Sequence, residues 1–397
     1  MSTNNRFNRH ERRAALALAL LFFLRMLGLF MLLPVLSLYV DKLDHSTPFL
    51  IGLALGIYAL TQAIFQIPMG HLSDRVGRKP VIAAGLVIFV IGSGLAAITQ
   101  NIFFIIIGRA LQGCGAISSA ALAMAADLSR DSQRTKVMAL IGVSIGLAFS
   151  AAFVLGPLID GRLGLSGLFT VVGGLGLAAI IILFALVPDP TNAAYAQQES
   201  EIADSAPTHQ TKALGISIFG GFFLHAILAA SFVVVPLHLA SALALPSSLH
   251  YQVYLPVILA SLVVVGPMVM FSNRHGRQKM FITATISALI AGLGALLLLP
   301  ASLTASYVGL GIFFIGFNYL EAALPSQVSR EAHLGKRGKT MGNYASLQFL
   351  GTFLGASLGG FILGQFGHDA VLVTAIVLAI LWLSLSTATN RLRIRGG

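Results

Sequence analysis

The sequence predicts an all-α polytopic membrane protein, with twelve transmembrane helices arranged as two six-helix bundles. Three observations predict it. Apolar stretches of spanning length recur along the whole chain, basic residues fall almost entirely on alternate loops, and short motifs repeat at a spacing of about 200 residues.

Composition sets the solvent. Of 397 residues, 56% are hydrophobic and only 10% are charged, and the mean hydropathy is +0.87. Soluble domains carry roughly 25% charged residues. A water-soluble chain of this size could not cover its surface with so few charges, so lipid faces most of the exterior. The net charge of +11 would suit a nucleic-acid binder. The basic residues, however, sit between apolar runs, where membrane orientation places them, so no nucleic-acid partner is expected. Cys114 is the single cysteine, which excludes an intrachain disulfide. No cluster of ligating side chains indicates a metal.

Hydrocarbon is spanned by about 20 apolar residues as helix. On that length the spans fall at 14–40, 48–72, 80–98, 102–125, 136–159 and 165–187, then at 214–239, 251–273, 279–298, 304–330, 339–364 and 368–389. Arg12 and Arg13 before the first run imitate a signal peptide. The run from Ala14 to Val40 is too long for an h-region and lacks a small-residue cleavage site, so it reads as a span. The expected organisation is an N-terminal bundle over 14–188, a polar cytoplasmic linker over 189–213 and a C-terminal bundle over 214–390. Asp189-Pro190, Glu199, Glu201, Asp204 and Pro207 give the linker its character.

Charge fixes the orientation. Of 25 Lys and Arg, 21 lie at the termini and loops of one side, while Lys42 and Arg162 lie on the other and Arg25 and Arg109 lie within spans. That asymmetry puts both termini in the cytoplasm of an inner (plasma) membrane protein, and it requires an even number of crossings.

The halves repeat. Phe22-Phe23-Leu24-Arg25 returns as Phe222-Phe223-Leu224-His225, and Ser73-Asp74-Arg75-Val76-Gly77-Arg78 as Ser272-Asn273-Arg274-His275-Gly276-Arg277. Ser129-Arg130-Asp131 returns as Ser329-Arg330-Glu331, and Gly161-Arg162-Leu163-Gly164 as Gly364-Gln365-Phe366-Gly367. Four matches in order and register are not chance. Six spans per half give both halves the same orientation, a parallel repeat with substrate expected between the halves.

The strongest local motif is Gly70-His71-Leu72-Ser73-Asp74-Arg75-Val76-Gly77-Arg78-Lys79, in the short loop between spans two and three. It resembles the signature loop of the major facilitator superfamily. Gly70 and Gly77 permit a tight turn, Asp74 suits a helix N-terminus, and Arg78 is within reach of Asp127 at the end of span four. The resemblance implies a conformational latch built from Gly70, Asp74, Arg75, Gly77, Arg78 and Asp127. A plain positive-inside loop would explain the cations but not Asp74 or the glycines.

Span four carries Arg109-Ala-Leu-Gln112-Gly113-Cys-Gly115, which resembles the superfamily's second motif. An arginine within the membrane costs several kcal/mol unless it is paired or wet. Two readings stand for Arg109: proton coupling, or a structural bond to backbone carbonyls of span one. Span five ends in Gly156-Pro157, which resembles the motif of the superfamily's antiporters, although Asp160 stands where a small residue is usual.

Arg25 and His225 each lie 11 residues into their spans, about 16 Å deep at 1.5 Å per residue. Glu321 lies in span ten. Ionisable groups at such depth are functional by default. Burial disfavours the charged form of a carboxylate, and histidine exchanges protons near neutral pH. Glu321 and His225 are therefore the proton-site candidates, and Arg25 the counter-charge or anion contact. The structural alternatives are a neutral His225 bonded to a carbonyl and a Glu321 paired with an arginine. Gln62 and Gln66, four residues apart, share one polar face of span two and are expected to line the substrate cavity. Tyr58, Phe65, Phe149, Phe232, Tyr254 and Tyr344 are candidate cavity aromatics, with lipid-facing or packing roles as the alternative.

The motifs cover essentially the whole chain. Arg25-Met-Leu-Gly-Leu-Phe-Met-Leu-Leu-Pro34, Gln62-Ala-Ile-Phe-Gln66-Ile-Pro68 and Glu321-Ala-Ala-Leu-Pro325-Ser326 resemble the YajR-type group of the superfamily's drug:proton antiporter family. The resemblance implies the major facilitator fold and a proton-coupled exporter of an amphiphilic or apolar small molecule. A known member carries a small soluble domain after its last span. This sequence stops at Gly397, shortly after Arg391–Arg395, so that domain's regulatory role is not expected. The proton gradient is the expected energy source, with no cofactor, and a monomer in the lipid bilayer is the expected working form. The rival is a proton-linked importer of sugar or another nutrient. A sugar site needs many hydrogen-bonding side chains, and these midplanes offer few. No nucleophile–base constellation and no phosphate-binding glycine loop occurs, so an enzyme is not expected.

Overall fold

The computed structural model describes residues 7–189, 212–274, 277–332 and 337–395. The expected linker lies almost wholly outside these residues. So do His275 and Gly276 of the second-half repeat.

Helices dominate because hydrocarbon leaves a backbone no other way to satisfy its amides. They are α1 (Arg9–Phe30), α2 (Pro48–Val76), α3 (Arg78–Ala97), α4 (Ile102–Cys114), α5 (Ser118–Asp127), α6 (Asp131–Ala185), α7 (Lys212–Ser241), α8 (Tyr251–Arg274), α9 (Gln278–Leu298), α10 (Leu303–Glu331), α11 (Arg337–Phe366) and α12 (His368–Arg395). Among the described residues, eleven stretches are long and apolar enough to cross a membrane. One of them, within α6, holds two crossings. The 55 residues of α6 are more than twice the roughly 20 that a bilayer needs. Gly164, with φ +66°, breaks its helical path. Twelve crossings result, the fold class read from the sequence.

Two spans differ from the continuous helices expected. Span one is helical only to Phe30, followed by a turn and a short 3-10 helix at Leu36–Tyr39. Pro34 explains the stop, since it has no amide proton and disfavours helix at the residue before it. Span four is two helices, α4 and α5, broken at Gly115-Ala116-Ile117. Gly115 caps α4 with a bond from its N–H to the Leu111 carbonyl.

Caps and turns set the remaining ends. Asn8 and Glu11 form a reciprocal capping box at the start of α1. Gly77, at φ +104°, turns α2 into α3. An L side chain is strained there.

The chain divides into two compact units. One comprises Met1–Leu32 and Leu60–Thr208; the other comprises Leu33–Ala59 and His209–Gly397. In the first, α1 lies along α6, and α3 packs on α4, α5 and α6. Gly156 lies against the backbone of Met31, where a Cβ would collide with a carbonyl oxygen. The Gly-Pro pair of span five therefore seats span five on span one at backbone distance. Glu11 is buried and holds Arg130 through paired bonds of 2.7 and 2.9 Å, fastening the start of α1 to the loop before α6.

In the second unit, α7 packs on α11, α12 and α10, and α9 packs on α10 and α12. Residues 33–59 group with these helices rather than with the rest of the N-terminal sequence. Gly52 and Gly56 of α2 cross Ala356, Phe353 and Gly360 of α11 at backbone contact, with Phe49 edge-on to Phe361 at 6.5 Å. Serine 217 and Gln327 meet Glu331, so the start of α7 is fastened to the end of α10.

Gly52→Val tests this seam. A β-branched side chain there meets the Ala356 carbonyl and the Gly360 backbone, neither of which can rotate away. Overpacking of this kind costs about 1–3 kcal/mol. The melting temperature in detergent should fall by several degrees, whereas Gly94→Val, which meets open space, should leave it within error. Equal melting of the two variants would refute the close crossing.

Candidate functional site

Polar groups inside the first unit form closed networks. Arg25 is wholly buried. Its guanidinium donates to the Gln62 carbonyl oxygen at 2.7 Å, to the Gly115 backbone carbonyl at 3.2 Å and to the Ser118 hydroxyl at 3.5 Å. Gln62 also donates to Ser118, at 3.2 Å. The break in span four explains the set. A helix end leaves carbonyls without intrahelical donors, and in lipid a cation that supplies donors is worth its desolvation. Arg25 thus holds α1, α2, α4 and α5 together. Gln66, one turn on, is buried as well, and its backbone carbonyl accepts from the Ser119 hydroxyl at 2.6 Å.

Arg109 is 1% exposed. It donates to Gln112 at 2.7 Å, and Gln112 donates to Ser93 of α3 at 2.9 Å. The Arg-x-x-Gln spacing places both on one face of α4, and the chain of bonds ties span four to span three.

The loop motif assembles around Arg78. Its side chain is 2% exposed and pairs with Asp127 at 3.0 Å and with Asp74. It also donates to the Ser73 hydroxyl at 2.7 Å, which in turn donates to the Gly70 carbonyl at 2.7 Å. Asp74 remains half exposed while Asp127 is nearly enclosed. Arg75 is exposed. Lys79 reaches Asp189, at the end of the sixth crossing, at 2.8 Å. A Cβ on Gly70 would touch Ser119, which keeps α2 close to α5. The structure therefore brings Asp74, Arg78 and Asp127 into one cluster, with Gly70 and Gly77 shaping its turn.

The second unit contains a different kind of site. His225 of α7 and Glu321 of α10 approach at 3.7 Å, Nε2 to Oε2, with side chains 19% and 41% exposed. The other ring nitrogen, Nδ1, lies 3.1 Å from the Gly221 carbonyl. A carbonyl only accepts, so Nδ1 donates to it, and Nε2 is the nitrogen that faces the Glu321 carboxylate. Glu321 Oε2 is itself enclosed and has no hydrogen-bond partner among the described residues.

Tyr344 of α11 completes this site. It is buried, its ring lies against Gly221, and its hydroxyl has no hydrogen-bond partner among the described residues. The other candidate aromatics divide: Phe232 and Tyr254 are fully buried, Tyr58 and Phe149 nearly so, and Phe65 is 40% exposed.

The sequence reading missed Ser118 and the Gly115 carbonyl, because it ran span four as one helix. The signal was there: glycine where a helix stops and serines where one starts. It also missed Glu11, which the Asn-x-x-Glu capping box would have found.

Residues 18–355 match the family described as Major Facilitator Superfamily. The chain is 40% identical over 378 residues to the inner membrane transport protein YajR of Escherichia coli (strain K12), covering 95% of this chain and 83% of that one. It is 24% identical over 378 residues to the class H tetracycline resistance protein of Pasteurella multocida, covering 88% and 89%. Its fold superposes with a TM-score of 0.78 on a bacterial homolog of the human lysosomal transporter Spinster in an inward-facing, occupied conformation, at 14% identity and covering 97% and 98%. Two units of α-helix with buried arginine networks and a half-exposed ionisable pair are thus those of a multi-pass membrane transporter, and the chain belongs to the major facilitator superfamily, whose members are non-enzymatic transport proteins.

Proposed function

We propose that the chain is a proton-coupled secondary transporter that exports an amphiphilic or apolar small molecule by alternating access. The observation that carries this reading is the His225–Glu321 pair. Its two groups stand 3.7 Å apart on two different helices, and a neutral imidazole that donates through Nδ1 would face the carboxylate with a lone pair, leaving room for one proton. Taking the proton draws α7 and α10 together, since a hydrogen bond needs about 2.8 Å. Releasing it restores the gap. Proton binding is thereby coupled to helix position within this unit. Each charge crossing the membrane supplies about 2.3 kcal/mol per 100 mV, enough to drive a carrier.

Support for export comes from the relative described as a tetracycline resistance protein and from the scarcity of hydrogen-bonding side chains at the midplane. Arg25 and Arg109 act in this reading as fixed structure, holding the broken fourth span, rather than as mobile carriers of charge. The Arg78 cluster serves as the latch. Arg78 and Asp127 form its enclosed part, and the half-exposed Asp74 is the member free to exchange partners. Both termini lie in the cytoplasm of the inner membrane, as the loop charges require, and one copy suffices for transport.

Two experiments test the proposal. In proteoliposomes with an acidic lumen, ethidium added outside should accumulate inside, opposite to the outward flow of protons. Glu321→Gln, which cannot take up the proton, should reduce gradient-driven accumulation to the level of empty liposomes while leaving dye binding intact. Accumulation at the wild-type level by this variant would falsify the assignment. Asp74→Asn removes one half-exposed charge from Arg78, a loss of about 1 kcal/mol or less. The transport rate should fall about fivefold, the rate equivalent of 1 kcal/mol, with dye affinity unchanged. A loss of affinity at an unchanged rate contradicts the latch.

A further inference from the structure

The start of α1 carries charge that neither the latch nor the His225–Glu321 pair uses. Arg9, Arg13, Leu16 and Leu20 recur at intervals of four, three and four residues and so share one face of the helix. All four are exposed, while Glu11, Ala14, Ala15, Ala17 and Leu18 between them are buried. The outer face of α1 is therefore basic at its end and aliphatic further in. Arg12, beside it, is exposed too. Arg9 and Arg12 have no partner among the described residues.

Arg13 joins this face to the end of the sixth crossing. Its Nε donates to the Leu186 carbonyl at 3.0 Å and its Nη2 to the Ala185 carbonyl at 2.8 Å, groups that a helix end leaves without intrahelical donors. Leu177, Ile181 and Phe184, spaced by four and three residues, are exposed on the last turns of α6. Two apolar stripes, one on each helix, thus start at the same guanidinium. The nearby acids are already matched. Glu11 turns inward onto Arg130, and Asp189, just beyond the capped carbonyls, meets Lys79 at 2.8 Å. The second half does not repeat the basic face: its matching positions are His209, Ala213, Ile216 and Gly220.

We propose that this junction of α1 and the end of α6 binds an anionic phospholipid, its phosphate against Arg9, Arg12 and Arg13 and its acyl chains along Leu16 and Leu20 of α1 and Ile181 and Phe184 of α6. Charge complementarity selects the occupant. Three arginines at one helix end, with the neighbouring acids matched elsewhere, call for a head of net negative charge, and the exposed aliphatic residues below them call for hydrocarbon. A free anion meets only the first demand, and a zwitterionic head brings a cation of its own. Each basic residue at such a place strengthens binding about fivefold. The site uses no residue of the His225–Glu321 pair or of the latch, so it is independent of how transport is driven. Only its assignment to the cytoplasmic leaflet rests on the topology proposed above.

The test titrates the full-length protein, in dodecyl maltoside micelles, with dioleoylphosphatidylglycerol and counts bound lipid by native mass spectrometry. The wild type should bind this lipid about tenfold or more tightly than dioleoylphosphatidylcholine, and inorganic phosphate at the same concentration should not displace it. Arg9→Gln breaks no bond among the described residues, so its melting temperature should match the wild type while its affinity for the anionic lipid falls about fivefold. Arg9→Lys should keep the affinity, and Arg9→Gln combined with Arg12→Gln should lower it about 25-fold. Arg274→Gln, which removes an exposed cation of the second half, should bind as the wild type does. Equal binding of the two lipids overturns the anionic head. Displacement by inorganic phosphate overturns the lipid in favour of a free anion. An unchanged affinity in Arg9→Gln, or an equal loss in Arg274→Gln, overturns the site in favour of general surface charge.

Discussion

Hydrocarbon offers no hydrogen bonds, so every polar group within the bilayer must be satisfied by the chain itself. This constraint sorts the interior of the protein into two classes. Where the chain meets the demand completely, the result is rigidity. Arg25 supplies donors to a broken helix, a glutamine and a serine, and nothing about it invites exchange. Where the chain meets the demand only in part, the result is a place for something else to bind. His225 and Glu321 stand 3.7 Å apart, too far for a hydrogen bond, and Tyr344 keeps an enclosed hydroxyl beside them.

The duplication makes the contrast sharper. Arg25 and His225 occupy matching positions of the repeated motif, at the same depth in the first span of each half. One became a permanent cation locked among neutral acceptors. The other became a ring whose charge depends on a proton. The ends of the two halves diverged in a similar way. In the first, Arg130 holds Glu11 near the start of α1. In the second, Glu331 holds Ser217 near the start of α7. The same stitch, first helix of a half to the end of its fourth, is made with the charge moved by one position in the repeated motif. Geometry was retained while chemistry was free to change, because packing needs a fastening at that place and not a particular residue.

Most of the fold was legible in the sequence because lipid enforces simple rules. Span length follows from bilayer thickness, and loop charge alternates. Arg78 and Asp127 were legible as a pair because the motif fixed one end and the length of span four fixed the other. The breaks were not legible. Hydropathy sees span four as one apolar run, since Gly115, Ala116 and Ile117 are as compatible with lipid as any helix. Only the partner that meets the exposed carbonyl, Arg25, reveals the break, and that partner lies 90 residues away in the chain. The same holds for Gln62, whose polar face reads as cavity lining from periodicity alone. In the folded chain its amide is committed to Arg25 and Ser118. Periodicity identifies which face a residue occupies but not which group waits opposite.

That distinction bears on how such a protein can work. A carrier needs elements that move and elements that do not, built from the same helices. Arg25, Gln62, Gly115 and Ser118 are tied by charge-assisted hydrogen bonds inside one unit, so the parts of spans one, two and four that carry them are held rigidly to one another. Spans seven, ten and eleven meet at His225, Glu321 and Tyr344, a site that the chain leaves open, and in the proposed reading a proton completes its bonding and changes the stiffness of that meeting point. In that reading one elementary charge is enough to bias a large structure, because it acts at an internal polar contact that the chain has not itself closed.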